Sequence, residues 1–432
     1  MTVKLTPLGG VREVGRSAFL LNIENTNILL DFGVKLGAKQ LEDHIPIMEN
    51  ERLLKNIDAI IISHAHLDHA GAIPLLLKKI ETKTKLICTP PTKSLIPLMC
   101  LDYLRNTQFR IYNQNDVLRI TKKMKSIEYL RPIRIKKLKI TLIPAGHLLG
   151  SAQVLIEYGK TKILYTGDIN FRGSLSLEPA HKIPADVVIM ESTYGNTTHE
   201  PLDAVMKKFE TIIKRTIDVG GLVLIPVFAV GRGQEILTAL HLIKESIGEA
   251  PLFIDGMVKK GSLIYSKFPE YLTEECRKAL NDPWIAEEIR LKRIFSRKTI
   301  ATATGIIVST SGMLLGPSLE YFKLIADNPR NSTIFVSYQA PSTPGYKVLR
   351  SGETVMLNNE LIKIRCNIEL LSGFSGHSDS RGLLEYLKQI SPKTCILTHG
   401  EENVIKEFER CVEETINTSV FVPNIKEEIH IY

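Results

Sequence analysis

The feature that most constrains this chain is a rhythm in roughly its first 190 residues: a short apolar run, then one polar residue. "TNILLDFG", "DAIIISH", "KITLIPAG", "TKILYTGD" and "DVVIMES" all follow it, while "VKLTPLG", "SAFLLNI" and "SAQVLIEY" share the texture. Runs of this length, bounded by Gly, Asn or Asp, read as strands. Asp31, His64, His147, Asp168 and Glu191 then fall at strand ends or in the loops that follow. A rigid sheet fixes such loops, and active sites tend to sit there.

The stretch "SHAHLDHAGA", Ser63 to Ala72, sharpens the point. In extended chain His64 and His66 point the same way. "DHAGAIPLLLKKI" reads as a helix with Asp68 as its N-cap. The turn between lets the two pairs converge from different directions. Neutral imidazole and carboxylate are the ligands of Zn²⁺ and related divalent metals. This tight spacing suits two adjacent metals better than one. His147 in "IPAGHLLGSA", Asp168 in "LYTGDIN" and His399 in "CILTHGEE" complete the set. His64, His66 and His147 would bind one metal. Asp68, His69 and His399 would bind the other. Asp168 would bridge them, with a shared hydroxide between.

After about residue 200 the texture becomes α/β alternation. "PLDAVMKKFETIIKRTIDVGG" is a helix with a Gly stop, "LVLIPVFAV" a buried strand, and "GRGQEILTALHLIKESIG" a second helix. The tail "TCILTHGEENVIKEFERCVEE" returns to strand, histidine, helix. The expected organisation is one domain, 1–197 with 372–432, interrupted by an inserted α/β domain, 198–371.

Composition narrows the rest. The six cysteines are scattered with no C-x-x-C pair, which argues against a disulfide framework and a zinc ribbon. No apolar run is long enough for a membrane span, and the N-terminus lacks the features of a signal peptide. A cytoplasmic, membrane-free protein is expected. The net charge of +8 is a mild excess. It gathers in "RITKKMKSIEYLRPIRIKKLK", with nine Lys or Arg against Glu128 alone, and in "RLKRIFSRK" at 290–298. Each cluster is either a track for a phosphate backbone or a solvated surface.

With these residues in hand, the sequence resembles the metallo-β-lactamase superfamily, and within it the β-CASP nuclease branch. Glu191 in "ESTYG", His377 in "FSGHSD" and His399 in "LTHGE" match the three elements that branch adds. Asp31 in "LLDFG" matches the superfamily's first motif, an Asp that supports the ligand shell. "PVFAVGRGQE" and "VSTSGMLLG" resemble runs of the inserted domain, and "LGGVREVGRS" is most like the cleavage and polyadenylation specificity factor type. The catalytic domain begins at once, as in the short archaeal subgroup without a KH region. Two departures touch RNA contacts: no Gly precedes Tyr338, and Tyr346 replaces a common basic residue.

The resemblance implies an αββα sandwich interrupted by a β-CASP domain, two Zn²⁺ per chain, and hydrolysis of single-stranded RNA in processing or decay. Cleavage would be endonucleolytic, with 5′→3′ exonuclease activity also open. The catalytic set is His377, Glu191, Asp68, Asp168 and Asp31, with His377 as general acid oriented by Glu191. Partners would be RNA, a second copy, or related processing factors. Arg232 could contact a phosphate or pair with Glu235. Ser311 and Gly312 could offer backbone donors or form a plain tight turn. The competing readings are a DNA-processing β-CASP nuclease and a non-catalytic RNA-binding subunit; the superfamily's thioester and lactam hydrolases lack the insertion and the Glu191–His377 pair.

Overall fold

A computed structural model describes residues 3–48, 56–80, 83–248, 250–291, 296–341 and 343–431. The apolar runs become strands close to where the sequence puts them. These are β1 (Val3–Gly9), β2 (Ala18–Ile23), β3 (Thr26–Leu30), β4 (Ala59–Ile61), β5 (Lys85–Cys88), β6 (Met124–Ser126), β7 (Ile133–Ile135), β8 (Leu138–Pro144), β9 (Ala152–Tyr158), β10 (Thr161–Tyr165) and β11 (Val187–Glu191). Then come β12 (Leu222–Pro226), β13 (Leu252–Ile254), β14 (Gly305–Ser309), β15 (Ser332–Phe335), β16 (Thr354–Leu357), β17 (Glu360–Lys363) and β18 (Asn367–Leu370). The chain closes with β19 (Thr394–Thr398), β20 (Ser419–Phe421) and β21 (Ile429–Ile431).

One seven-stranded sheet runs β21-β1-β2-β3-β4-β5-β6 and a second runs β20-β19-β11-β10-β9-β8-β7. Their facing sides share one core. Leu5, Phe19, Ile28 and Ile61 of the first sheet join Leu142, Val154, Ile163 and Ile189 of the second. The uninterrupted apolar strands are explained by burial on both faces. In β11, Val187 and Ile189 enter this core, while Val188 and Met190 point the other way. That outer side is covered by helices 380–390 and 402–415. Leu383, Tyr386, Leu387 and Ile390 form the apolar stripe of the first, at helical spacing. Its N-cap, Asp379, accepts from the Gly382 amide at 2.8 Å. This is an α/β sandwich, as the resemblance implies.

The chain forms two compact units. The first comprises 1–173, 179–198 and 377–432; the second comprises 174–178 and 199–376. The second unit holds an all-parallel sheet, β13-β14-β12-β15-β18, and the hairpin β16-β17. The second unit takes in two segments beyond 199–371, for local reasons. Residues 174–178 join the second unit because the buried Glu235 carboxylate accepts from the Leu175 amide at 2.8 Å and the Ser176 amide at 3.0 Å. Residues 372–376 join it because Phe374 packs edge-on to Phe209, ring centroids 5.3 Å apart. Among the described residues no helix is long and apolar enough to cross a membrane.

Glu235 also accepts from the Ser176 hydroxyl. Removing it would strand several buried donors at once. Glu235→Ala should lower the unfolding free energy of the second unit by about 3 kcal/mol. Chemical denaturation with a probe in that unit would measure it, and a change near zero would refute the anchoring role.

Candidate metal centre

The ends of β3, β4, β8, β10, β11 and β19 carry the site. The segment after β3 runs alongside the short helix Leu67–Ala70. The amides of Phe32 and Val34 donate to the carbonyls of His69 and Leu67, and Ser17 donates to that of Asp68, each at 2.8 Å. Gly33 is needed there because a Cβ would lie 1.8 Å from the Asp68 carbonyl oxygen. The helix start corrects the sequence reading. His66 holds the N-cap position and Asp68 lies in the first turn. The Asp68 carboxylate is turned instead toward His399, Oδ2 to Nε2 3.4 Å.

Asp168 follows β10 through Gly167, whose φ is +54°. The parallel pair β11 and β19 sets Glu191 level with Thr398, and His399 follows. The His399 amide donates to the Gly10 carbonyl at 2.8 Å. His147 sits after β8, where its amide and that of Leu148 both donate to the Ser151 hydroxyl at 3.1 Å.

All seven residues read as ligands come together, in two groups. His64, His66, His147 and Asp168 form one; Asp68, His69, Asp168 and His399 form the other. Within each group the ligating atoms lie within 4.8 Å of one another. Asp168 belongs to both through different oxygens. Its Oδ2 lies 3.5 Å from His64 Nε2 and 3.6 Å from His147 Nε2, and its Oδ1 lies 3.1 Å from His69 Nε2.

The residues fit a metal on their own chemistry. His64 Nε2, His69 Nε2, His399 Nε2 and Asp168 Oδ1 are buried and make no hydrogen bond among the described residues. Buried polar atoms without partners are rare, and here four converge. His66 Nδ1 and His147 Nε2 are 3.0 Å apart, a distance at which two ring nitrogens must share a proton or a cation. Burial, helped by the neighbouring His69, pushes the His64 pKa well below its ordinary value, so it stays a neutral ligand.

Known proteins resemble this chain in sequence and in fold. Residues 20–185 match a metallo-beta-lactamase superfamily domain, 233–348 a Beta-Casp domain, and 361–423 a Zn-dependent metallo-hydrolase RNA specificity domain. A protein called transcription termination factor FttA from Pyrococcus abyssi is 35% identical over 99% of this chain and 71% of its own length. The protein of that name from Pyrococcus horikoshii is 36% identical over 99% of this chain and 71% of its own length. The chain belongs to the β-CASP branch of the metallo-β-lactamase superfamily. A solved structure of a protein of unknown function from Enterococcus faecalis V583 shares the fold at 14% identity, with a TM-score of 0.62 over 100% of both chains. As a member of this superfamily the chain is a metal-dependent hydrolase.

The residues that mark the β-CASP branch meet beside the metal groups. Glu191 is buried and accepts from the Ile169 amide at 2.8 Å. Its two oxygens lie 2.9 and 3.0 Å from His377 Nδ1, and His377 Nε2 lies 3.9 Å from Asp168 Oδ2. Burial works against a charged His377, but Glu191 and Asp168 outweigh it and raise its pKa to about 9. Asp31 is wholly buried and takes the His69 Nδ1 proton at 2.7 Å.

In the second unit, Arg232 opens helix 232–242 after Gly231. Its alternative partner, Glu235, is engaged by residues 175 and 176. Ser311 lies in a tight turn: its amide donates to the Leu315 carbonyl at 3.0 Å, and its hydroxyl accepts from Met313. That amide is taken, so it does not present a donor to a phosphate. The Gly312 carbonyl accepts from Gln339 at 2.8 Å. In the first basic cluster, Lys136 pairs with Asp58 and Lys139 with Glu157, so part of it is neutralised. Of the second, residues 292–295 lie outside the described residues.

Sequence reading missed Ser63 and Tyr165, which both hydrogen-bond to Asp31. A phenol on the core-facing side of a strand was the available signal, because a buried hydroxyl needs a partner.

Gly33→Ala should push Asp68 and His69 out of place while leaving the sandwich folded. Metal uptake, read by elemental analysis after dialysis against zinc, should fall at least about tenfold. Full uptake would show that the close approach is not needed.

Proposed function

We propose that this chain is a zinc-dependent ribonuclease that hydrolyses phosphodiester bonds of single-stranded RNA and binds two Zn²⁺. The observation that carries the reading is Asp168, whose two oxygens divide between two complete ligand groups, with the Glu191–His377 pair alongside. The match to an RNA specificity domain supports RNA over DNA as substrate. The filled ligand set favours an enzyme over a silent RNA-binding subunit.

Bound zinc ions would supply Lewis acidity, lowering the pKa of water and offsetting phosphate charge. The chain's own residues do the rest. His64, His66 and His147 would hold one ion, Asp68, His69 and His399 the other, and Asp168 would serve both. Asp31 fixes the His69 ring. Water adds to phosphorus and loses one proton to the solvent, and the bond from phosphorus to the leaving oxygen breaks. His377 Nε2 gives its proton to that oxygen, while Glu191 at Nδ1 orients the ring and favours the protonated form. Arg232 would steady a backbone phosphate. Cleavage would be internal, with 5′→3′ trimming a further activity of the same centre. The protein would work in the cytoplasm, as a homodimer or with related processing factors.

A second reading concerns the biological role. The relatives are named transcription termination factors. By that likeness, the RNA cut here would be a nascent transcript, and its cleavage would end transcription.

A labelled RNA and the matching DNA should be compared with and without chelator. Chelator-sensitive cleavage of the RNA is expected, and no such cleavage of either strand would sink the nuclease reading. His377→Ala should slow turnover by about 10²–10⁴-fold while zinc stays near two per chain. Loss of an ion instead would overturn its role as acid. Asp168→Ala should lose metal and activity together.

A further inference from the structure

One carboxylate reaches ligands of both metal groups. Asp31 Oδ1 accepts from the Ser63 amide at 2.7 Å. Its Oδ2 has three donors around it, each at 2.7 Å: the Ser63 hydroxyl, the His69 Nδ1–H and the Tyr165 hydroxyl. The Ser63 hydroxyl has two ring nitrogens near it as well, His64 Nδ1 at 3.0 Å and, farther off, His69 Nδ1 at 3.4 Å. A hydroxyl carries one proton. If Ser63 gives it to Asp31, its lone pairs are left to accept from His64 Nδ1–H. His64 and His69 then both carry their proton on Nδ1 and turn a bare Nε2 lone pair into the site. Both Nε2 atoms are buried and without a hydrogen-bond partner among the described residues.

We propose that Ser63 and Tyr165 are positioning residues through which Asp31 sets the tautomers of His64 and His69, and so the affinities of both metal positions. The proposal rests on the two-metal reading above. Neither residue touches a metal position. Among the described residues Ser63 is the link from Asp31 to His64. Without its hydroxyl, His64 Nδ1–H would be buried with no acceptor among the described residues. The proton is then better placed on Nε2, where Asp168 Oδ2 lies 3.5 Å away. That tautomer cannot ligate through Nε2. Tyr165 acts differently. It comes from β10, in the opposite sheet from Asp31, and holds the carboxylate that serves both histidines. Its ring packs on Phe19 with centroids 5.6 Å apart, so removing the hydroxyl alone leaves the packing in place.

The two variants should therefore fail in different ways. Stepwise zinc affinities can be read by competition with a chromophoric chelator on metal-stripped protein. Ser63→Ala should weaken one of the two steps by about 10–100-fold and the other by a clearly smaller factor, because Asp31 also loses a donor. Tyr165→Phe should weaken both steps by similar, smaller factors. In ¹⁵N NMR of the metal-free protein, Ser63→Ala should move the His64 proton from Nδ1 to Nε2, a change that a merely structural role would not produce. Unchanged affinities, or equal loss at both steps in Ser63→Ala, would overturn the proposal. If Ser63→Ala does not fold, wild-type affinities in Tyr165→Phe would overturn it alone. Wild-type protein that binds a single zinc overturns it too. Wild-type protein that binds two zinc ions but cuts no RNA would sink the ribonuclease reading and leave this one standing.

Discussion

The structure turns on a buried carboxylate ringed by imidazoles. Asp168 has five histidines within 4 Å: His64, His69, His147, His377 and His399. Burying a charge is costly unless it is compensated, typically by several kcal/mol. Here burial raises the Asp168 pKa but His69 and His399 outweigh it, and the carboxyl ends well below its usual range. That balance demands strand ends from both sheets in one place. β4 leads to His64 and β19 leads to His399, from opposite layers of the sandwich. The apolar core between the sheets keeps them in register, so the site is as rigid as the core beneath it.

Much of this was legible in the sequence, because burial on both faces leaves a strand no polar residue except at its end. The stops at Asp31, His64, Asp168, Glu191 and His399 are therefore visible as exceptions in apolar runs. What was hidden depended on contacts remote in sequence. Tyr165 looks like one more strand residue until Asp31, 134 positions away, is brought against it. Ser63 looks like a turn residue. Residues 174–178 carry no mark that assigns them to the second unit; Glu235 decides it from about sixty positions on. The helix at 67–70 starts earlier than its best capping residue because Asp68 has a partner in His399, and that demand overrides local preference.

The placement of Tyr165 also bears on how the sandwich is held. Most of what joins the two sheets is apolar and non-directional. The Tyr165–Asp31 bond is directional and crosses the same core. It ties the β10 end to the β3 end at the point where the ligand-bearing loops begin, so small sliding of one sheet over the other is resisted there first.

The order of the strands has a consequence for synthesis. β19 lies beside β11, and β21 lies beside β1, so the sandwich needs its last strands to complete both sheets. A chain still on the ribosome, translated as far as the second unit, holds His64, His66 and Asp168 but lacks His377 and His399. Long-range pairing of this kind is also slow to form. Such a partial chain therefore lacks part of the proposed catalytic set. A centre assembled this way stays incomplete until strands from both sides of the second unit have paired.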